Sequence, residues 1–180
     1  MVINWETIEF IFEKFKHKGT FNYFEELTSG HINDTFFICA TGRENYVLQR
    51  INKDVFKKPK ELISNKVKVS SFIQKQLKHL TAAERKKSVL TFIESKNKLP
   101  YYIDSLGSYW NLSVFIEGSK IFEKVENSEI AFEAGKLYGT FLNLTKGMNI
   151  DDVVPIIPNF HEMSFRYKQF YSAFKNASEN

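Results

Sequence analysis

The order of secondary-structure signals predicts an α+β protein: a mostly antiparallel sheet of about five strands with one main helix, then a region of helices only. Three observations carry that prediction. Stretches of period-two alternation are joined by short, turn-rich links. Two stretches in the first eighty residues carry apolar stripes at helical spacing. Beyond Glu117-Gly118 the strand signals stop and only helical periodicity continues.

Residues 5–16 place Trp5, Ile8, Phe12 and Phe15 on one helical stripe with acids opposite, and Gly19 is expected to end that helix. Residues 23–28 and 35–40 read as strands flanking the tight segment Ser29-Gly30-His31-Ile32-Asn33-Asp34. Thr41-Gly42-Arg43-Glu44-Asn45 reads as a hairpin turn into a third strand at 46–51. Lys58-Pro59 opens a basic helix running through Leu77, whose buried stripe is Leu62, Val69, Phe72, Ile73 and Leu77. Residues 89–94, 101–104 and 109–116 are three further strand candidates, separated by Asn97-Lys98-Leu99-Pro100 and Gly107. Asn127 or Ser128 then caps a helix to about Leu144, with Ile130, Ala134, Leu137, Phe141 and Leu144 on one face. Pro155 and Pro158 mark an extended loop, and residues 163–174 form the last helix. No repeat or low-complexity segment interrupts this order.

Composition narrows the classes of function. The 180 residues carry 25 Lys+Arg against 21 Asp+Glu, a net charge of +4 spread along the chain, which gives little ground for nucleic-acid binding. At 43% hydrophobic and 26% charged the chain is too apolar to be disordered, and 16% aromatic residues suggest packed aromatic layers. No apolar run reaches membrane-spanning length, and Met1-Val2-Ile3-Asn4-Trp5-Glu6 lacks the features of a secretory signal. The single Cys39 excludes an internal disulfide framework and a cysteine-based zinc cluster, so a cytoplasmic, reducing location is expected. No membrane partner and no nucleic-acid partner are expected.

The segment 29–35 is the best phosphate-loop candidate, because a hairpin of small and turn-forming residues can turn backbone N–H groups toward an anion. Its single glycine matches neither of the common glycine-rich phosphate motifs, and taken alone the segment is more simply an ordinary hairpin turn, which needs these same residues. In Tyr46-Val47-Leu48-Gln49-Arg50, alternation puts Val47 and Gln49 on one face and Tyr46, Leu48 and Arg50 on the other. Arg50 can grip phosphate in two places, whereas Gln49 offers a neutral hydrogen bond; a solvated strand-end arginine is the plainer alternative. Cys39-Ala40-Thr41-Gly42-Arg43 resembles a sulfatase modification sequence, but Thr41 stands in place of the proline and no Asp/His ligand cluster accompanies it. The histidines at 17, 31, 79 and 161 form no close pair, which disfavours a zinc hydrolase. Four glycosylation-type tripeptides and the lysine-rich stretches read as unmodified sites and solvated faces.

Taken in order, several segments resemble the aminoglycoside phosphotransferase and choline kinase superfamily, and within it the N-acetylhexosamine 1-kinases. They are Gly30-His31-Ile32-Asn33-Asp34-Thr35, Tyr46-Val47-Leu48-Gln49-Arg50-Ile51-Asn52, Val55-Phe56-Lys57-Lys58-Pro59, Tyr109-Trp110, Phe115-Ile116-Glu117-Gly118, Ala134-Gly135-Lys136-Leu137 and Pro158-Asn159-Phe160-His161. The resemblance implies a protein-kinase-like nucleotide-binding lobe over residues 1–117, with 118–180 supplying a hinge and the first helices of an incomplete second lobe. It implies that Gly30, His31, Asn33, Asp34 and Thr35 lie over ATP phosphates, with Gln49 and Arg50 beneath, and that Phe115 and Glu117 offer backbone groups to adenine. His31 and His161 are the weaker substrate-side candidates.

Two departures from the family pattern stand out. Gln49 occupies the place of the usual strand lysine, and the position of its usual glutamate partner falls near Asn65, with Glu61 one turn earlier; Arg50 or Lys66 is left to carry the charge. No histidine is followed two residues later by aspartate, so no catalytic or metal residue is expected within this chain, and the sequence reads as the front portion of a longer enzyme. The expected activity of that parent is transfer of the ATP γ-phosphoryl group, with Mg²⁺, to a sugar hydroxyl, most simply the anomeric hydroxyl of an N-acetylhexosamine. Choline, homoserine or an aminoglycoside are alternative acceptors, and a non-catalytic nucleotide-binding or interaction module is the alternative outside enzymes. The 180-residue chain alone is expected to be inactive and to self-associate through an uncovered apolar face.

Overall fold

Asn4 starts the first helix: its side chain accepts from the Thr7 N–H, and α1 (Trp5–Phe12) follows in the computed structural model. The structure describes residues 3–28, 30–42 and 44–178. Ser29 of the expected phosphate loop, Arg43 of the expected hairpin turn, Met1-Val2 and the last two residues of the chain lie outside that set. The helix buries Ile8, Ile11 and Phe12. It stops before residue 16 because the chain leaves to pair with another segment: Phe15 bridges Ser95, and the Lys16 N–H donates to the Glu94 carbonyl at 2.9 Å. Gly19 therefore serves a different purpose from helix termination. It holds φ +87°, and a Cβ there would lie 1.8 Å from the Thr41 carbonyl oxygen, so only glycine lets these two backbones approach.

Six strands among the described residues form one antiparallel sheet: β1 (Phe21–Glu26), β2 (Asp34–Ala40), β3 (Tyr46–Arg50), β4 (Phe92–Ile93), β5 (Tyr102–Ile103) and β6 (Tyr109–Val114). The spatial order is β1-β2-β3-β6-β4, with β5 also on β6. The α+β class and the hairpin order match the sequence expectation; the strand count is six against the expected five or so, because all six candidate stretches form strands, two of the late ones only two residues long. Alternation sends Phe36, Ile38, Ala40, Tyr46, Leu48, Trp110, Leu112 and Val114 to one face, where they bury against α1 and Phe15. Tyr46, fully buried, donates its hydroxyl to the Lys18 carbonyl and accepts from the Lys18 N–H, so no polar atom of that ring is stranded.

Pro59 at the first turn opens α2 (Pro59–Gln76). Thr81 and Glu84 form a reciprocal capping box at the start of α3 (Ala82–Ser88), a short helix that the apolar pattern did not announce. Asn127 caps α4 (Ser128–Thr145) by accepting from the Ile130 N–H, and α5 (Met163–Ser178) closes the described chain. The helical part is tied to α2. Leu144 packs on Ile73, Leu77 and Val89, while Asn65 donates to the Val154 carbonyl and accepts from the Val154 N–H. Lys68 adds a bond to the Asp152 carbonyl at 2.7 Å. The outer faces of α4 and α5 are uncovered: neither helix buries a residue fully, and Leu137 of α4 is 72% exposed.

One polar anchor sets the end of the core. The Asp104 carboxylate accepts from the Leu106 and Ser108 N–H groups, each at 2.9 Å, and from the indole Nε1 of fully buried Trp110 at 2.9 Å. Burial pushes the Asp104 pKa up, but these donors outweigh it and hold the carboxyl below its ordinary range. Asp104→Ala leaves a buried indole donor unpaired and should cost on the order of 2 kcal/mol in urea unfolding followed by tryptophan fluorescence. The contribution is present above the unfolded-state pKa and disappears as pH falls through the lower folded-state value, so the difference between wild type and variant should shrink in acid.

Candidate functional site

The sheet face turned away from α1 is built differently. Period-two alternation places Thr35 and Phe37 of β2, Val47 and Gln49 of β3, and Asn111 and Ser113 of β6 on it. Register aligns them in two rows, Thr35 opposite Gln49 opposite Asn111, and Phe37 opposite Val47 opposite Ser113. The first row is polar and bonded through. Gln49 donates from Nε2 to Thr35 Oγ1 at 3.1 Å, and Asn111 donates from Nδ2 to the Gln49 carbonyl at 3.3 Å.

Lys66 reaches this row from α2. Its ammonium donates to Gln49 Oε1 at 2.8 Å and to Asn111 Oδ1 at 3.2 Å, with the Phe92 ring 5.4 Å away. Burial lowers its pKa to about 8, and no carboxylate among the described residues offsets that shift. The expected helix partner of Gln49 was Asn65. One residue earlier on a helix is a turn of about 100°, and Asn65 accordingly faces Val154 instead.

At the other end the face becomes apolar. Phe37 meets Phe115 edge-on with centroids 4.9 Å apart, and Val47 lies in the same row as Phe37. The Phe115 N–H donates to the Asn45 carbonyl at 2.8 Å, so this amide is already committed and only the Phe115 carbonyl remains for a ligand on that residue. Glu117 is exposed, and its side chain accepts from Asn45 Nδ2 at 3.0 Å, which fixes the start of the 115–118 connection against the β2–β3 turn.

The β1–β2 hairpin borders the polar end, since Thr35 begins where the loop finishes. The loop frames an open hollow of about 240 Å³ lined by Gly30, His31, Asn33 and Thr35 among others. Nothing lies within 4 Å of where a Gly30 side chain would stand, so the backbone there is approachable. Asn33 is tied down, accepting from the Asn52 N–H through Oδ1 at 2.9 Å. His31 is exposed on the loop.

Arg50 and Asp34 do not join the polar row. They share the opposite face of the sheet, at the margin of the core, where Arg50 Nε donates to Asp34 Oδ2 at 2.7 Å and the guanidinium lies 5.6 Å from the Trp110 ring. The alternation that aims Gln49 toward α2 necessarily aims Arg50 away from it. His161 is exposed after the 150–154 segment, its ring against Phe160 with centroids 4.8 Å apart. Thr35, Gln49 and Phe115 are thus gathered on one face with Gly30, His31 and Asn33 along its edge, whereas Arg50 and Asp34 are turned from it. Lys66, Asn111 and Phe37 join it. The sequence held the signal for Lys66: it lies four residues after Leu62 and three before Val69, inside the stripe read as buried.

No protein-family model matches the chain. Among the described residues no group of three or more His, Cys, Asp or Glu side chains converges to hold a metal ion. The described residues therefore do not form a Mg²⁺ site.

Lys66 makes the pH dependence of stability unusual. Its folded-state pKa near 8 lies below the ordinary 10.5. The unfolded chain binds the extra proton between those values, so this group disfavours the fold below pH 8 and relaxes that penalty as pH rises toward 10.5. Against Lys66→Met, which lacks the group, wild type should recover at most about 3 kcal/mol of relative stability between pH 7 and pH 10. Denaturant titrations of the two proteins in parallel measure it; a pH-independent gap would show that the ammonium is solvated.

Proposed function

We propose that this face is a nucleotide-binding cleft and that the chain is the ATP-binding portion of a small-molecule kinase of the aminoglycoside phosphotransferase and choline kinase type. One observation supports the reading most. A single sheet face runs from an aromatic and aliphatic end (Phe37, Val47, Phe115) to a polar, cationic end (Thr35, Gln49, Asn111, Lys66) within about 7 Å along β2. An adenine ring prefers the first surroundings and phosphates the second. The loop of 30–35 stands at the phosphate end and the 115–118 connection at the purine end, which is the order the sequence resemblance implies. The proposed acceptor is a sugar hydroxyl, in the first instance that of an N-acetylhexosamine, and the proposed setting is cytoplasmic.

Calorimetric titration with adenosine and with ATP, together with amide chemical-shift mapping, tests the cleft. Shifts confined to Thr35, Phe37, Val47, Gln49 and Phe115 are expected; no heat and no shift with either ligand at millimolar concentration would remove the proposal. Incubated with ATP, Mg²⁺ and N-acetylglucosamine or N-acetylgalactosamine, the 180-residue chain alone should form no sugar phosphate above a blank. No histidine of its sequence precedes an aspartate by two positions, and this chemistry needs a positioned carboxylate. Turnover would show a base elsewhere in the chain.

The helical part supports a further element of the proposal, self-association. The surface of 12643 Å² exceeds the roughly 9,000 Å² expected of a compact monomer of 21.1 kDa. The excess is at least the share one chain contributes to an obligate interface, and exposed apolar side chains such as Leu137, Phe132 and Phe170 are part of it. Sedimentation velocity should show concentration-dependent association; a single monomeric species at high concentration would exclude it.

A further inference from the structure

The cation of a phosphate site must face the cleft and must not already be neutralised. Gln49, at the strand position where the sequence resemblance places a lysine, is uncharged. Arg50, its charged neighbour, is on the opposite face with Asp34 as its partner. The hairpin of 30–35 contributes no Lys or Arg. Lys66 alone among these candidates meets both conditions: it crosses from α2 to the polar row, and the two oxygens that hold it, Gln49 Oε1 and Asn111 Oδ1, belong to neutral amides.

Such an arrangement orients an ammonium without neutralising it. Two of its three donors are taken by the amides, which leaves one for a ligand. Gln49 is itself fixed by Thr35, and Asn111 by the Gln49 carbonyl, so the acceptors cannot swing away when the ligand arrives. A positive charge withdrawn from water and given only dipoles as partners is relieved by an anion, and phosphate oxygens are such a group.

We propose that Lys66, delivered from α2 and positioned by Gln49 and Asn111, is the residue that binds the phosphate oxygens of a nucleoside di- or triphosphate in this cleft. The inference rests on the nucleotide-cleft reading above and adds to it which side chain supplies the charge and from which element. It also inverts the usual division of labour: the helix gives the cation and the strand gives the group that holds it.

The test uses the whole 180-residue chain, wild type, Lys66→Met and Lys66→Arg, each titrated with adenosine, ADP and ATP. Lys66→Met should lose at least about tenfold in ATP affinity while adenosine affinity stays within about twofold, as expected for loss of a charge-assisted contact. Lys66→Arg should fall between them. Thermal melts check that each variant folds, since Lys66→Met removes a buried charge but also leaves Gln49 Oε1 and Asn111 Oδ1 without its bonds. Amine labelling of wild type with trinitrobenzenesulfonate and peptide mapping gives a second readout independent of any variant: ATP should protect Lys66 and adenosine should not. Equal ATP affinity in wild type and Lys66→Met, or labelling of Lys66 unaffected by ATP, with adenosine and ATP both binding, overturns the role of Lys66 and leaves the cleft standing. Failure of both ligands to bind wild type overturns the cleft and the role of Lys66 together.

Discussion

A strand cannot send consecutive side chains to the same side, and this sheet is organised by that constraint. Its one face is spent on the core. Phe36, Ile38, Leu48, Trp110 and Leu112 close against α1, and two polar groups there, the Tyr46 hydroxyl and the Trp110 indole, have partners in Lys18 and Asp104. The alternate positions of the same strands must then form the other face, where Thr35, Gln49, Asn111 and Ser113 replace apolar residues in two of the rows. A rigid, dry layer on one side is what allows a polar row on the other to hold its geometry, because β2, β3 and β6 cannot shift register without moving the core residues to the wrong side.

The polar row is expensive unless it is complete. Asn111 is nearly fully buried, and an amide in that position without partners would destabilise the sheet. Here the side chains satisfy one another in sequence, from Thr35 through Gln49 and Asn111 to the Lys66 ammonium. What remains unbalanced is charge rather than hydrogen bonding. A carboxylate on α2 would have neutralised Lys66 and raised the stability of the ligand-free fold. Amides hold the ammonium in position at lower stability and leave its field available to an incoming anion.

Much of this was legible before any coordinates. Period-two alternation located β1, β2, β3 and β6 within a residue or two, because both faces of those strands carry a clear pattern. The caps of α4 and the proline of α2 located their starts. Other features were written in long-range contacts that no local pattern carries. The end of α1 is set by pairing of Phe15 with Ser95, and the shortening of β4 and β5 by what β6 can accommodate beside β3. At the site, Thr35, Gln49 and Phe115 were named through the resemblance, and the structure gathers them on one sheet face. Arg50 was weighed for its charge, although its alternation with Gln49 already assigned it to the other face. Lys66 was weighed beside Arg50 as the carrier of the charge, and its place inside the apolar stripe of α2 was the further signal that distinguishes the two.

Because Lys66 rides on a helix, the polar row is linked to whatever holds that helix. On the strand, a lysine would be as fixed as the sheet. On α2, Lys66 shares its helix with Asn65 and Lys68, one and two residues away, and those two side chains hold the backbone at Val154 and Asp152. The lower end of α2 meets Leu144 of α4 through Ile73 and Leu77. One turn of the helix therefore touches the polar row and the 150–154 segment, and its C-terminal end touches α4. Any displacement of Lys66 is a displacement of an element that the helical region also grips. In this architecture α2 is the mechanical link between the two parts of the chain, and the amide at Gln49, by holding the lysine in place of providing it, is what makes the link possible.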